Sequence, residues 1–185
     1  ALAKSLSDVL IDYTWKSYTI VYENVENLIR LKDVMQIHQP RAETPISMMR
    51  LEDDNYGILL KKINSNQVKN VVLDISTEKI VPFLTEARKV GMLVDYNKYF
   101  ITNLDTYTLD FGDLVETNAN ITTLRLVDIK STEMDSALKV WNQNQQHNYP
   151  MEAHQIPLEA ALVHDAVHFF VTSLRAFANP KAVIV

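Results

Sequence analysis

Apolar and polar positions follow two rhythms along this chain, and the rhythm switches at regular intervals. Leu2, Leu6, Val9, Leu10 and Tyr13 recur at i, i+4, i+7, i+8 and i+11, one apolar stripe of a helix over residues 2–13. Tyr18-Thr19-Ile20-Val21-Tyr22 is rich in β-branched and aromatic residues and reads as a strand. A polar break at Glu23-Asn24 follows, with Asn24 suited to cap the next helix. That helix carries Val25, Leu28, Ile29, Leu31, Lys32 and Met35. It should end near Gln39-Pro40, because the residue before a proline is pushed out of the helical region.

The cycle then repeats. Residues 46–51 are a predicted strand, and residues 55–63 a helix with Ile58, Leu59 and Ile63 inward. Val71-Val72-Leu73-Asp74-Ile75 is apolar without alternation, which suits a parallel strand covered on both faces. Ser76 is expected to cap a helix through Ile80, Phe83, Leu84, Ala87 and Val90, kinked at Pro82 and stopped by Gly91. Residues 98–102 and 121–127 are the fourth and fifth strands, and Thr132 should cap a helix through Met134, Leu138 and Trp141. The polar run 142–148, with Pro150 and Pro157, reads as a linker or hinge, and residues 158–177 as one long apolar helix. Strand and helix alternating at roughly 25-residue intervals predict an α/β fold, a doubly wound parallel sheet with right-handed crossovers.

Composition narrows the partners. At 47% hydrophobic and 22% charged residues the chain can bury a core, which excludes disorder. A net charge of -5 without a basic run excludes binding dominated by nucleic-acid phosphates. There is no cysteine, hence no disulfide framework and no thiolate metal site. No apolar run approaches the ~20 residues that span a bilayer. Ala1-Leu2-Ala3 already lies inside a helical pattern with no leader before it, as expected of a mature or internal piece.

Little catalytic chemistry is legible. Doubly wound sheets bind ligands at the carboxyl ends of their strands, here Glu23-Asn24, Asp74 to Ser76, and Asn103-Leu104-Asp105. Gly57, Gly91 and Gly112 are the only glycines and form no Gly-rich turn, so no nucleotide cofactor is expected, nor any other. His164-Asp165-Ala166-Val167-His168 puts two histidines at i, i+4, the spacing of zinc peptidases. Asp165 is a methylene short of the glutamate such a site uses as base, no third ligand follows, and Leu162-Val163 and Phe169-Phe170-Val171 are packing residues. Asp53-Asp54 are neighbours at a helix start, where they complement the dipole. No Gly-x-Ser-x-Gly elbow exists. The expectation is a non-enzyme with no metal. Asn120-Ile121-Thr122 is an N-glycosylation sequon.

Five ordered segments carry a resemblance. Residues 10–16, ending Thr14-Trp15-Lys16, with Tyr18 to Glu23, resemble the helix and strand that open the second lobe of ionotropic glutamate receptor amino-terminal domains. Leu28-Ile29-Arg30-Leu31 is similar to the G-L-I-R-L run of kainate-type subunits, with Asn27 in place of the glycine. Residues 100–105 with Leu109-Asp110, the sequon with Leu124-Arg125, and residues 160–168 resemble F-T-T-L-D, N-M-T-G-F-R and A-A-L-M-Y-D-A-V-H. Asn27 and the 131–157 stretch depart from vertebrate patterns and would suit a distant, invertebrate subunit.

The resemblance implies a type I periplasmic-binding-protein clamshell: residues 1–128 its second lobe, 129–157 a helix and hinge crossing, and 158–185 a helix and tail of the first lobe. It implies subunit dimerisation, homo- or heteromeric, within a tetrameric receptor on the extracellular, postsynaptic side of the plasma membrane. Membrane contact would come only through regions outside this sequence. Dimer contacts are expected from Leu6, Val9 and Tyr13, with Leu2 and Leu10 turned towards the core. The alternative is an amino-acid-binding lobe whose cleft uses Asn24, Ser76, Asn103 and Asp105.

Overall fold

A computed structural model describes residues 2–15, 17–38, 46–52, 55–144 and 150–178, arranged as two compact units, Ala1–Leu124 and Arg125–Val185. In the first unit, α1 (Leu2–Asp12), α2 (Val25–His38), α3 (Tyr56–Ser65) and α4 (Thr77–Lys89) alternate with β1 (Tyr18–Tyr22), β2 (Ile46–Arg50), β3 (Asn70–Asp74), β4 (Lys98–Ile101) and β5 (Asn120–Thr123). The five strands are all parallel, in the order β2-β1-β3-β4-β5. The chain therefore reverses its direction of sheet growth between β1 and β3, the point where doubly wound folds open a crevice.

Each face of the sheet carries its own core. Leu6 and Leu10 of α1, Leu31 and Val34 of α2, and Trp15 pack on Tyr18, Ile20, Val72 and Phe100. On the other face Leu60 and Ile63 of α3 and Ile80, Phe83, Leu84 and Ala87 of α4 cover Val21, Val71, Leu73 and Ile101. The central strand β3 is buried from Val71 through Asp74, which explains its unbroken apolar run. Burial raises the Tyr18 hydroxyl to about 12 and pushes that of Tyr99 up as well. Tyr99 spends its buried hydroxyl on the Met92 carbonyl at 2.8 Å, so no polar group is stranded there.

Several local expectations change. Val25, Ile29 and Ile58 face solvent at 65%, 70% and 66% exposure; Leu31 and Val34 in α2 and Leu60 in α3 take the inward positions instead. Ser76 occupies the N-cap position of α4, but its hydroxyl makes no capping bond. Ser131, not Thr132, caps the next helix, its hydroxyl accepting from the Met134 amide at 3.1 Å. β5 is shorter than 121–127, and residues 103–119 contain two 3₁₀ turns, Thr106–Thr108 and Gly112–Glu116, which short polar stretches do not announce. Gly91, at φ +73°, ends α4 as read. Asp53-Asp54 and Gln39-Pro40 lie outside the described residues.

The second unit holds α5 (Thr132–Asn144), a 3₁₀ turn at Ala153–Gln155, and α6 (Leu158–Ala178). The polar run thus begins inside a helix, and 145–149 lie outside the described residues. Asn142 ties α5 to the following segment, donating to the Met151 carbonyl at 3.1 Å and accepting from its amide at 2.9 Å. Along α6, Leu162, Val163, Val167, Phe169, Phe170, Leu174 and Phe177 are all exposed. At 100° per residue they cover roughly half its circumference.

Candidate functional site

The crevice at the β1/β3 reversal is built from strand ends. β1 runs on into Glu23, and β3 into Ser76 and the first turn of α4. The Glu23 carboxylate reaches across: Oε2 accepts from the Ser76 amide at 2.9 Å and Oε1 pairs with Lys79 Nζ at 2.8 Å. Glu23 therefore supplies the anion that the α4 N-terminus favours, in place of a side-chain cap from Ser76. Desolvation alone would raise the Glu23 pKa. The bonds from Lys79 and Ser76 and the Lys79 charge outweigh it and hold the carboxyl below the ordinary range. Arg50 Nε donates to the Glu23 carbonyl at 3.4 Å, and the Leu51 amide to the Tyr22 carbonyl at 2.8 Å. Above these groups lies an open depression of about 510 Å³ lined by Glu23, Asn24, Arg50, Leu51, Glu52 and Lys79.

The four cleft candidates bond within the fold, Asn24 and Asn103 through their side chains and Ser76 and Asp105 through their backbone. Asn24 Oδ1 accepts from the Asn27 amide at 3.0 Å while Asn27 Oδ1 accepts from the Asn24 amide at 3.1 Å, a reciprocal cap for α2. Ser76 gives its amide to Glu23. Asn103 Nδ2 donates to the Ile75 carbonyl at 3.3 Å and to Thr77 Oγ1 at 3.1 Å, and its Oδ1 accepts from the Asp105 amide at 2.9 Å. The Asp105 carbonyl accepts from Thr108 Oγ1 at 2.8 Å. These bonds fasten the loops that follow β1, β3 and β4.

The groups that command the crevice are Glu23, Lys79 and, at the end of β3, Asp74; in the sequence Glu23 and Asp74 stand out only as strand ends, and Lys79 not at all. Asp74 is fully buried and accepts from Thr102 Oγ1 at 2.5 Å, and its carbonyl accepts from Asn27 Nδ2 at 3.2 Å. The available signal was an acidic residue directly after one strand and a lysine one turn into the helix after another.

A second surface lies along α1 and is tied to β5 by Tyr13, just after the helix. Leu6 has no exposed surface and lies in the core, so it cannot belong to a contact stripe; packing against the sheet claims the middle of the stripe first. Leu2 and Val9 of α1, Tyr13 just after it, and Leu124 just after β5 are each half-buried against the same core. The Tyr13 ring stacks on Trp15 at 5.4 Å and meets Phe100 edge-on at 6.3 Å, and its hydroxyl donates to Thr122 Oγ1 at 2.9 Å. The outward face of α1 is otherwise Lys4, Ser5, Asp8 and Asp12, with Ile11 its one large apolar residue. Asn120 is exposed at the first position of β5.

On α6, His164 and His168 stack with ring centroids 6.4 Å apart, and His164 Nδ1 lies 3.4 Å from Asp165. Among the described residues no group of three or more potential metal ligands exists, and no helix is long and apolar enough to cross a membrane.

Residues 1–182 match the family model described as receptor family ligand binding region. The chain belongs to that family. Within it, the sequence is of the kainate-type ionotropic glutamate receptor kind, in the amino-terminal domain. It is 29% identical over 175 residues to "Glutamate receptor ionotropic, kainate 1" of Homo sapiens and of Mus musculus, and 28% identical to that of Rattus norvegicus. Each alignment covers 91% of this chain but only 19%, 21% and 18% of the relative, so the chain spans about a fifth of the proteins it matches. The match fits the parallel sheet flanked by helices. In this member of the family the strand-end crevice holds the chain's own carboxylate.

Proposed function

We propose that this chain is an assembly module of a glutamate-gated ion channel subunit, pairing with a copy of itself or a related subunit on the extracellular side of the plasma membrane. Contact is made through the α1–β5 seam, with Val9 and Tyr13 as its apolar members and Leu2 and Leu124, half-buried on the same core, as further candidates. Leu6 supports the seam from below. One observation carries the reading: Glu23, Lys79 and the Ser76 amide, the polar groups at the strand-end crevice, already bond to one another, while Val9 and Tyr13 keep apolar surface partly open. In the same reading residues 1–128 form the second lobe, 129–157 the crossing, and 158–185 part of the first lobe. The broad apolar arc of α6 supports that assignment, because a helix apolar over half its girth needs more than one neighbour.

The second reading is an amino-acid-binding lobe, favoured by the depression beside Glu23 with its mixed charges. Calorimetric titration with amino acids separates the two. Absence of heat together with concentration-dependent association supports assembly; saturable heat without association supports the ligand-binding lobe.

A further inference from the structure

α6 carries its apolar residues on one side and a polar strip on the other. At 100° per residue, the middle of the apolar arc between Leu162 and Phe177 lies roughly 150° from the line through His164 and His168. Asp165, Thr172 and Arg175 share the histidines' side. A neighbour that covers the apolar arc therefore leaves both imidazoles facing away from it. Both residues are exposed, the His164 side chain at 56%. Their four-residue spacing stacks the rings one turn apart, with centroids 6.4 Å from each other and planes diverging by only 9°. Asp165 Oδ1 lies 3.4 Å from His164 Nδ1. In the tautomer that donates Nδ1–H to this carboxylate, Nε2 keeps its lone pair, the arrangement by which a carboxylate orients a metal-binding imidazole.

We propose that His164 and His168 chelate one divalent transition-metal ion, Cu²⁺ more tightly than Zn²⁺. A hydrolytic zinc centre needs three protein ligands and a base, and among the described residues no group of three potential ligands exists. A chelate asks less: two imidazole nitrogens from one helix face, with water in the remaining positions. Imidazole suits Cu²⁺, Ni²⁺ and Zn²⁺, and for a given set of ligands affinity peaks at Cu²⁺. Exposed side chains change rotamer on the ps–ns scale. Small rotations therefore bring one nitrogen of each ring to about 2.0–2.1 Å from a shared ion. Only the helical spacing sets the two rings side by side, so the ion binds the folded helix in preference and stabilises the turn between them. The site carries no catalytic step, and it is independent of which surface the chain uses for pairing.

The 185-residue chain is titrated calorimetrically with CuCl₂, ZnCl₂ and MgCl₂ in a buffer that does not bind metals. Wild type, His164→Ala, His168→Ala and His154→Ala are compared, the last removing a histidine from the separate 3₁₀ turn Ala153–Gln155. Cu²⁺ and Zn²⁺ should bind, Cu²⁺ at least about tenfold more tightly. His164→Ala and His168→Ala should each weaken both ions at least about tenfold, and His154→Ala should leave them unchanged. Mg²⁺, which seeks oxygen ligands, should neither bind there nor displace Zn²⁺. Equal Zn²⁺ affinity in all four proteins, or displacement by Mg²⁺, overturns the proposal. Electron paramagnetic resonance of wild type with one equivalent of Cu²⁺ needs no variant: coupling to two imidazole nitrogens is expected, and a spectrum of oxygen ligands alone overturns it.

Discussion

Removing the Glu23 carboxylate should expose a vacant carboxylate site. In Glu23→Ala the Ser76 amide and the N-terminal turn of α4 lose their charged acceptor, and Lys79 loses its ion pair with Glu23. Loss of a helix cap costs about 1 kcal/mol. The ion pair, between side chains 24% and 23% exposed, adds about 0.2–1 kcal/mol. The sum, about 1–2 kcal/mol, lowers the melting temperature by roughly 3–6 °C for a chain of this size. Acetate should fill the vacancy. At a concentration tenfold above its dissociation constant it returns about 1.4 kcal/mol, most of the loss. The assay is differential scanning fluorimetry of wild type and Glu23→Ala in sodium acetate against sodium chloride of equal ionic strength. Acetate should stabilise the variant alone.

The pH dependence has a fixed sign. The folded Glu23 pKa lies below its unfolded value of about 4.3, so its stabilisation is present above that value and fades as pH falls through the folded one. The gap between wild type and Glu23→Gln should therefore be widest above about pH 5 and close in stronger acid. Equal acetate stabilisation of both proteins, or a Glu23→Ala variant as stable as wild type, would refute the reasoning.

Other substitutions test the frame around the site. Leu6→Ala should lose about 2–5 kcal/mol in urea denaturation, since it opens a cavity between α1 and the sheet. Tyr13→Phe should lose about 1 kcal/mol by the same method, through the Thr122 bond alone. Gly91→Ala should cost about 1–2 kcal/mol from backbone strain at φ +73°, because nothing lies within 4 Å of the added methyl group.

The alternation of strands and helices was legible because each element announces itself over a few neighbouring residues. Val71 to Ile75 showed burial on both faces, and Gly91 showed a helix end. Which face of a helix meets the sheet was less legible. Leu6 and Val9 share one stripe in sequence, yet packing buries the first and leaves the second at the margin. Ile58 and Ile29 fit apolar periodicity and still face outward. The crevice was legible only as a place. Its occupant follows from β1 lying beside β3, which brings Glu23 to Ser76 and Lys79 across more than 50 residues of chain. Asn24 and Asn103 looked like ligand groups because amides serve equally well as caps, and local hydrogen bonds claimed them.

The central claim is assembly through the α1–β5 seam, and sedimentation velocity of the unglycosylated chain tests it directly. Wild type, Val9→Lys and Phe169→Ser are compared at several concentrations, with circular dichroism to check folding. The account predicts concentration-dependent pairing that Val9→Lys weakens at least about tenfold and Phe169→Ser leaves intact. Pairing untouched by Val9→Lys but lost in Phe169→Ser would contradict it, moving the contact to the apolar face of α6.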